Sequence, residues 1–184
     1  CKSYRIISKI RLTFSIIIEY TYICYYHHLN TEIDIEKEGG CMRQFFFFCQ
    51  SGDLAAAVHG LSNPKFLMLL SNNIQFEAHV KALESLYPRV PSIGCIGMSY
   101  DTNIVESGVS VIAFLDDISA TANVLEQVST MPVKYIERME KDLVKIGASA
   151  QDTVCIDFCS GNDACVLTTF NSCLKHRSIQ LVGG

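Results

Sequence analysis

The sequence predicts an α/β fold: a mixed sheet built from two βαβ-like units with a central β-hairpin, and helices packed on the sheet. Two matching stretches, 71–94 and 160–183, carry most of this prediction. Each follows an apolar run, passes through a polar turn and a helix-like segment, and closes with a second apolar run that ends in glycine. The distance from serine to glycine is 23 residues in both stretches. Strand, turn, helix and strand in this order is the pattern of a βαβ unit.

The repeat also predicts where its two serines lie. Few letters are shared between the copies, so the repeat is one of pattern. We expect Ser71 and Ser160 to follow parallel or neighbouring strands of one sheet. Units of this kind bind ligands at the turn after the strand.

The first half of the chain that follows residue 42 alternates strands and helices. Strands are predicted at 44–48, 65–71 and 92–97, and helices at 54–61 and 74–87. Ser51 or Asp53 is suited to cap the first helix, because short polar side chains accept hydrogen bonds from the backbone of a first turn. The near-continuous apolar run at 65–71 is typical of a buried central strand, and Pro88 ends the second helix.

The second half continues the alternation. Strands are predicted at 108–115, 118–128, 153–159 and 179–182, and helices at 132–146 and 163–174. The segment 118–128 is ambiguous, and its spacing from the preceding strand favours a hairpin partner. Gly147 is placed to end the helix before it, as glycine commonly does.

Composition and charge restrict the function classes. A chain of 184 residues that is 49% hydrophobic can bury a sizeable core as one large domain or two small ones. The net charge of −4 and the lack of any run of four Lys or Arg argue against a nucleic-acid surface.

The nine cysteines indicate free thiols in a reducing cytoplasm. Their number is odd, and several lie in apolar runs, where cysteine behaves as a small buried hydrophobe. Cys155, Cys159, Cys165 and Cys173 are separated by three, five and seven residues, and this spacing does not suit the convergence of four ligands that zinc requires. We expect no metal, no cofactor and reduced cysteines.

The first forty residues differ in composition from the rest. They contain nine Ile and no Ala, Val, Pro or Met. One interpretation is that translation starts at Met42 and that 1–41 is upstream read-through. The alternatives are a truncated upstream domain and a membrane segment at 6–26, although charged residues interrupt that segment well short of a span.

A glycine-bearing strand end is the first candidate binding segment. Gly94 and Gly97 resemble half of a dinucleotide fingerprint, but a third glycine and a following helix are missing, so the nucleotide interpretation is weak. The glycines suit either a tight turn with close backbone packing or the close approach of a ligand. In the second case Ser99 and Tyr100 would supply hydrogen-bonding groups.

The strand-to-helix turn at Ser160, Gly161 and Asn162 is the second candidate. Its free N–H groups could hold a carboxylate, although helix capping by Ser160 or Asn162 is the simpler explanation. The histidines, including His59 and His79, are predicted to lie on surfaces or helix ends, and no nucleophile motif accompanies them.

Several of these stretches resemble the N-terminal domain of the FIST family. The run from Phe66 to Ser71, followed by a helix ending in Tyr87-Pro88 and by 90–95, is similar to the opening of that domain. The glycine-led strand 108–114 and the closing 181–184 are similar in pattern. The resemblance covers roughly residues 42–184. The chain departs from the usual pattern after Gly94-Cys95, where a Ser or Thr would be common.

The resemblance implies a sensory domain of a signal-transduction protein that binds small ligands such as amino acids. Its expected partners are a C-terminal FIST domain and a downstream chemoreceptor or kinase module, with no nucleic acid and no membrane contact by 42–184. The segment 42–184 would then be an N-terminal domain truncated at its C-terminal end. The alternatives are an enzyme fragment without its catalytic part and a protein-binding adaptor.

The predicted function is therefore small-molecule sensing without catalysis. The predicted ligand-binding residues are Gly94, Cys95, Ser99, Tyr100, Ser160, Gly161, Asn162 and Gly183. We expect them to meet at one edge of the sheet, because the carboxyl ends of parallel strands share an edge.

Overall fold

A computed structural model of the chain describes residues 13–17, 32–33, 43–97, 99–100, 104–105, 107–115, 118–125, 133–158 and 163–183. The strands are β1 (Thr13–Ile17), β2 (Glu32–Ile33), β3 (Arg43–Cys49), β4 (Phe66–Ser71), β5 (Ser92–Ile96), β6 (Ser99–Tyr100), β7 (Ile104–Val105), β8 (Val109–Leu115), β9 (Ala120–Asn123), β10 (Thr153–Asp157) and β11 (Gln180–Gly183). The helices are α1 (Leu54–Ala57), α2 (Phe76–Leu86), α3 (Val133–Lys145) and α4 (Asp163–Leu174), and a 3-10 turn, Lys175–Arg177, follows α4. No helix of the described residues is long and apolar enough to cross a membrane.

The chain divides into two compact units. Residues 21–118 form the five-strand unit, with sheet order β2-β3-β8-β4-β5. Residues 1–20 and 119–184 form the four-strand unit, with sheet order β11-β10-β1-β9. The two-residue strands β6 and β7 pair with each other.

The five-strand unit is built around β8 and β4. Six of the seven residues of β8 are buried, and four of the six residues of β4. Strand β8 pairs with β3 along one edge and with β4 along the other, antiparallel in both cases. The Phe66 and Phe114 rings lie 5.6 Å apart between centroids, and such aromatic pairs add to the stabilisation gained by burial. Helix α2 contributes Phe76 and Leu83 to the buried residues.

The four-strand unit has its own core beneath α3 and α4. Members of that core come from both helices and from β10, among them Tyr135, Met139, Leu143, Cys155, Val166 and Phe170. Helix α3 ends as the sequence predicts, since Gly147 follows it and the Ala148 N–H donates to the Leu143 carbonyl at 2.9 Å. The pair of Arg177 and Glu140, at 2.9 Å between Nη2 and Oε2, ties the 3-10 turn to α3.

The α/β class is confirmed, and both copies of the repeat are βαβ units. In each copy the strands before and after the helix are adjacent and parallel, β4 with β5 and β10 with β11. Antiparallel neighbours complete both sheets, which are therefore mixed.

The prediction that the two βαβ units of the repeat share one sheet is wrong. Strand β4, which ends at Ser71, lies in the five-stranded sheet, and β10, which precedes Ser160, lies in the four-stranded one. The registers differ as well, because Gly94 lies opposite Leu69 whereas Gly183 lies opposite Asp157. Leu69 is two residues before Ser71, whereas Asp157 is three residues before Ser160. The two copies therefore pair their strands in different registers, and the equal spacing of 23 residues is coincidental.

The central hairpin also differs from the prediction. A strand does form within 118–128, as β9, but it pairs with β1 and not with β8. The physical reason is that β3 and β4 occupy both edges of β8, which leaves no edge for a hairpin partner.

Candidate functional site

Three strands of the five-strand unit end together at one edge of its sheet. Strands β3, β4 and β5 run in the same direction, since β3 and β4 are both antiparallel to β8 and β5 is parallel to β4. Their last residues, Cys49, Ser71 and Ile96, stand in one row with Val109 of β8. We call this row and the turns that leave it the carboxyl edge. Ligands of α/β sheets commonly bind at such an edge.

A buried serine and histidine lie at the centre of the carboxyl edge. The Ser71 side chain is fully buried and the His79 side chain is 4% exposed. The Ser71 Oγ lies 2.6 Å from His79 Nδ1, and His79 Nε2 lies 2.7 Å from the Gly52 carbonyl oxygen. Because a carbonyl only accepts, Nε2 carries the proton, and in the neutral ring Nδ1 then accepts from the Ser71 hydroxyl. The histidine therefore joins α2 to the end of β4 and to the turn that follows β3.

The prediction that His79 is a surface or helix-end residue is wrong. It lies on the buried face of α2, three residues after Phe76 and four before Leu83. That spacing was visible in the sequence and is the signal that could have found it. His59, by contrast, is exposed, as predicted.

The turn after β3 carries exposed polar groups. The Cys49 Sγ lies 3.1 Å from the Ser51 Oγ, and this hydrogen bond is the main reason that the pKa of the Cys49 thiol is lowered. A charge-stabilising hydrogen bond favours the thiolate. Asp53 caps α1 by accepting from the Ala56 N–H at 3.1 Å, one of the two caps the sequence predicts.

The turn between β4 and α2 is satisfied by its own side chains. Asn72 Oδ1 accepts from the N–H groups of Ile74 and Gln75, at 3.0 and 2.9 Å. Asn72 Nδ2 donates to Gln75 Oε1 at 2.9 Å and to the Gly108 carbonyl at 3.4 Å. Asn72 therefore holds this turn in place, whereas Gln75, the N-cap residue of α2, makes no side-chain capping bond.

The glycine-bearing candidate segment lies at the same carboxyl edge. Gly94 is buried, and a Cβ there would lie 3.3 Å from both Cβ and the carbonyl oxygen of Leu69. This close packing accounts for Gly94 without a ligand. Cys95 is half-buried, and burial raises the pKa of its thiol. Beyond β5, the Gly97 N–H donates to the Ser71 carbonyl at 3.0 Å.

The remaining predicted site residues are divided. Ser99 and Tyr100 form β6, which contacts β8 and so stays with the five-strand unit. Gly183 ends β11 in the four-strand unit, and a Cβ there would overlap the carbonyl of Asp157. Ser160, Gly161 and Asn162 lie outside the described residues. The structure thus places Gly94, Cys95, Ser99 and Tyr100 in one unit and Gly183 in the other.

A polar groove is found in the four-strand unit. It has a cavity volume of about 470 Å³ and is lined by β9 and α3. Asn123 is 4% exposed, and its amide Nδ2 donates to Asp142 Oδ2 across the groove. Asn123 and Asp142 are not among the site residues predicted from the sequence.

One comparison with known proteins identifies a family for this chain. A family model described as the FIST N domain matches residues 65–184, more than half of the 184-residue chain. The match includes β4, β5 and β8 at the carboxyl edge and all of β9 to β11. No curated protein and no solved structure matches the chain.

Proposed function

We propose that this chain, which belongs to the FIST N domain family, binds a small molecule at the carboxyl edge of its five-strand unit and signals occupancy to a downstream module. Domains of this family are sensory domains of signal-transduction proteins. The observation that carries the location is the shared row of strand ends at Cys49, Ser71 and Ile96, with an exposed polar turn directly beside it.

The first ligand class to test is amino acids. The turn after β3 presents an exposed carboxylate at Asp53 that could receive an ammonium group, and the Ser51 hydroxyl beside it can donate or accept. Tyr100 would cover an apolar side chain of the ligand. Gly94 and Cys95 lie in β5, the strand that precedes β6 and Tyr100 along the chain.

His79 gives the site a route to the rest of the unit. A ligand that moves the turn after β3 must alter the hydrogen bond between the Gly52 carbonyl and His79 Nε2. That change reaches α2, which carries His79, and β4, which carries Ser71. Energetic coupling of this kind requires a contiguous physical connection, and these two hydrogen bonds supply one.

The four-strand unit carries a second proposed ligand-contacting segment. Ser160, Gly161 and Asn162 follow β10, and Gly183 ends the strand parallel to it. We propose that this turn holds a carboxylate through its backbone N–H groups. Gly161→Val should then weaken the binding of carboxylate ligands.

A hydrolase is the alternative that the Ser71–His79 pair brings to mind, and burial argues against it. A serine nucleophile must be reached by its substrate, whereas the Ser71 side chain is fully buried. In addition, His79 Nε2 donates to the backbone carbonyl of Gly52 and not to a carboxylate that would orient the ring for catalysis. We therefore propose a domain without catalysis.

The proposed partners follow from the family. We propose a C-terminal FIST domain and a signalling module as the recipients of the signal, and the cytoplasm as the compartment. The free thiols of Cys49 and Cys95 suit a reducing compartment.

A thermal-shift screen of the full chain against the twenty amino acids and other small metabolites tests the proposal. A ligand at about a hundred times its dissociation constant should stabilise the protein by about 2.7 kcal/mol. A metabolite hit without any amino acid hit would correct the ligand class, and no hit in either set would contradict the sensory proposal.

Calorimetry on the hit then tests the site. Tyr100→Ala should weaken the affinity by about ten-fold, because it removes the ring proposed to cover the ligand. The matched control is Ser85→Ala, which removes an exposed hydroxyl from the far end of α2. Equal affinity in both variants would place the site elsewhere.

A further inference from the structure

The polar groove of the four-strand unit runs along the edge of a strand. Thr121, Ala122 and Asn123 are consecutive in β9, and all three line it. Side chains of consecutive strand residues point to opposite faces. A groove that touches all three must therefore follow the strand's edge and not one of its faces.

That edge of β9 is the outer edge of the four-stranded sheet. Strand β9 stands at the end of the sheet order, with β1 on its other side, and within the part of the chain that the structure describes no strand pairs with the outer edge. An unpaired edge presents a row of backbone N–H and C=O groups that can accept another strand.

One stripe of α3 forms the opposite wall. Its lining residues are Lys134, Glu137, Arg138, Lys141 and Asp142, and they recur at spacings of three and four. Residues so spaced share one side of a helix. The apolar stripe of α3, with Met139 and Leu143, faces the core instead.

The wall is positively charged once its internal pairs are counted. Lys141 Nζ lies 2.7 Å from Glu137 Oε1, and Asp142 is bonded to Asn123. Lys134 and Arg138 form no ion pair among the described residues, although Lys134 Nζ lies over the Tyr135 ring at 5.6 Å. The lining thus carries three cations and two carboxylates, one of which is already spent on Lys141.

The groove's width is fixed at one end. Asn123 belongs to β9 and Asp142 to α3, and the amide of Asn123 is buried while it donates to that carboxylate. Losing such a buried bond is costly, so the strand edge and the cationic stripe are held facing each other. Preorganisation of this kind lowers the cost of binding.

We propose that this groove docks an extended acidic peptide segment, which adds as a strand to the outer edge of β9 and places a carboxylate on Arg138 and Lys134. Strand addition takes its affinity from backbone hydrogen bonds and its specificity from the side chains alongside. The cations provide charge complementarity to a carboxylate, whereas the chain has no run of four Lys or Arg that would track a nucleic-acid backbone. This surface is separate from the ligand site proposed at the carboxyl edge.

Fluorescence anisotropy on the full chain tests the proposal with a labelled peptide of alternating Glu and Val. The peptide should bind, and Arg138→Glu should weaken it by about ten-fold, because an exposed ion pair is replaced by repulsion. The matched control is Lys145→Glu, which makes the same charge change on the same helix outside the groove lining. Circular dichroism of both variants checks that they fold.

Two further probes separate strand addition from simple charge attraction. The same peptide N-methylated at every backbone nitrogen keeps its charge but can no longer donate backbone hydrogen bonds to a strand edge. It should therefore lose binding. Free glutamate at the same carboxylate concentration should not displace the peptide. The proposal is overturned by absent binding of the unmodified peptide, by equal loss in Arg138→Glu and Lys145→Glu, by undiminished binding of the N-methylated peptide, or by displacement with glutamate.

Discussion

Replacing His79 with phenylalanine tests whether the buried histidine holds the carboxyl edge together. The substitution keeps an aromatic ring at a position that is 4% exposed and removes both ring nitrogens. The Gly52 carbonyl loses a donor at 2.7 Å, and the Ser71 hydroxyl loses its 2.6 Å partner. The hydroxyl keeps a weaker acceptor in the Asn72 carbonyl at 3.3 Å.

The expected cost follows from these two losses. A buried polar group left without its partner costs about 1–3 kcal/mol, so His79→Phe should destabilise the protein by about 2–4 kcal/mol. For a chain of this size that corresponds to a fall in Tm of roughly 5–15 °C. Urea unfolding followed by circular dichroism measures the change, with His59→Phe as the matched control. His59 is exposed, and its substitution should cost less than about 0.5 kcal/mol.

A double-mutant cycle isolates the bond between the two side chains. Ser71→Ala alone leaves His79 Nδ1 without its donor. In the His79→Phe background this hydrogen bond is already absent, so adding Ser71→Ala does not remove it a second time. Non-additivity of about 1 kcal/mol or more is expected for residues in direct contact. Additive costs, or a midpoint for His79→Phe that equals the midpoint for His59→Phe, would refute the reasoning.

Three other predictions concern backbone contacts and the thiol. Gly108→Ala should lower the free energy of unfolding by about 2–3 kcal/mol, because φ is +116° and the new Cβ would lie 2.8 Å from the Cys49 carbonyl oxygen. The control is Gly60→Ala, at φ +87° with open space around it, which should cost only about 1 kcal/mol in the same urea titration. Gly183→Ala should destabilise the four-strand unit strongly, because its Cβ would overlap the backbone of the neighbouring strand, and faster hydrogen exchange there would show this. Iodoacetamide should modify Cys49 at a lower pH in the wild type than in Ser51→Ala, because loss of the hydrogen bond from Ser51 raises the thiol pKa and reduces the thiolate present at a given pH; identical pH profiles by mass spectrometry would contradict the assigned cause.

Local pattern was enough to find the four helices and seven of the eleven described strands, whereas β1, β2, β6 and β7 were not predicted. The apolar run that became β4 and the periodicity that became α2 were both read within a few residues of their bounds. Asp53 and Gly147 marked helix ends because capping depends on neighbours within four positions.

Partner choice was not visible in the same way. Periodicity tells a strand from a helix and does not say which sheet the strand joins, so β4 and β10 were assigned to one sheet and β9 was assigned to β8. The network at His79 was missed for a related reason. The carbonyl that accepts from His79 belongs to Gly52, which is 27 residues away in sequence. The residues of α2 alone do not indicate which groups will hydrogen-bond to a buried imidazole.

Hydrogen exchange by mass spectrometry, with and without the ligand found in the thermal-shift screen, tests the central claim most directly. A ligand at the carboxyl edge should slow amide exchange in the turn after β3, at residues 50–53, and in the segment 94–100. It should also slow exchange in α2, which His79 ties to that turn. Protection confined to the four-strand unit, with these segments unchanged, would contradict the account.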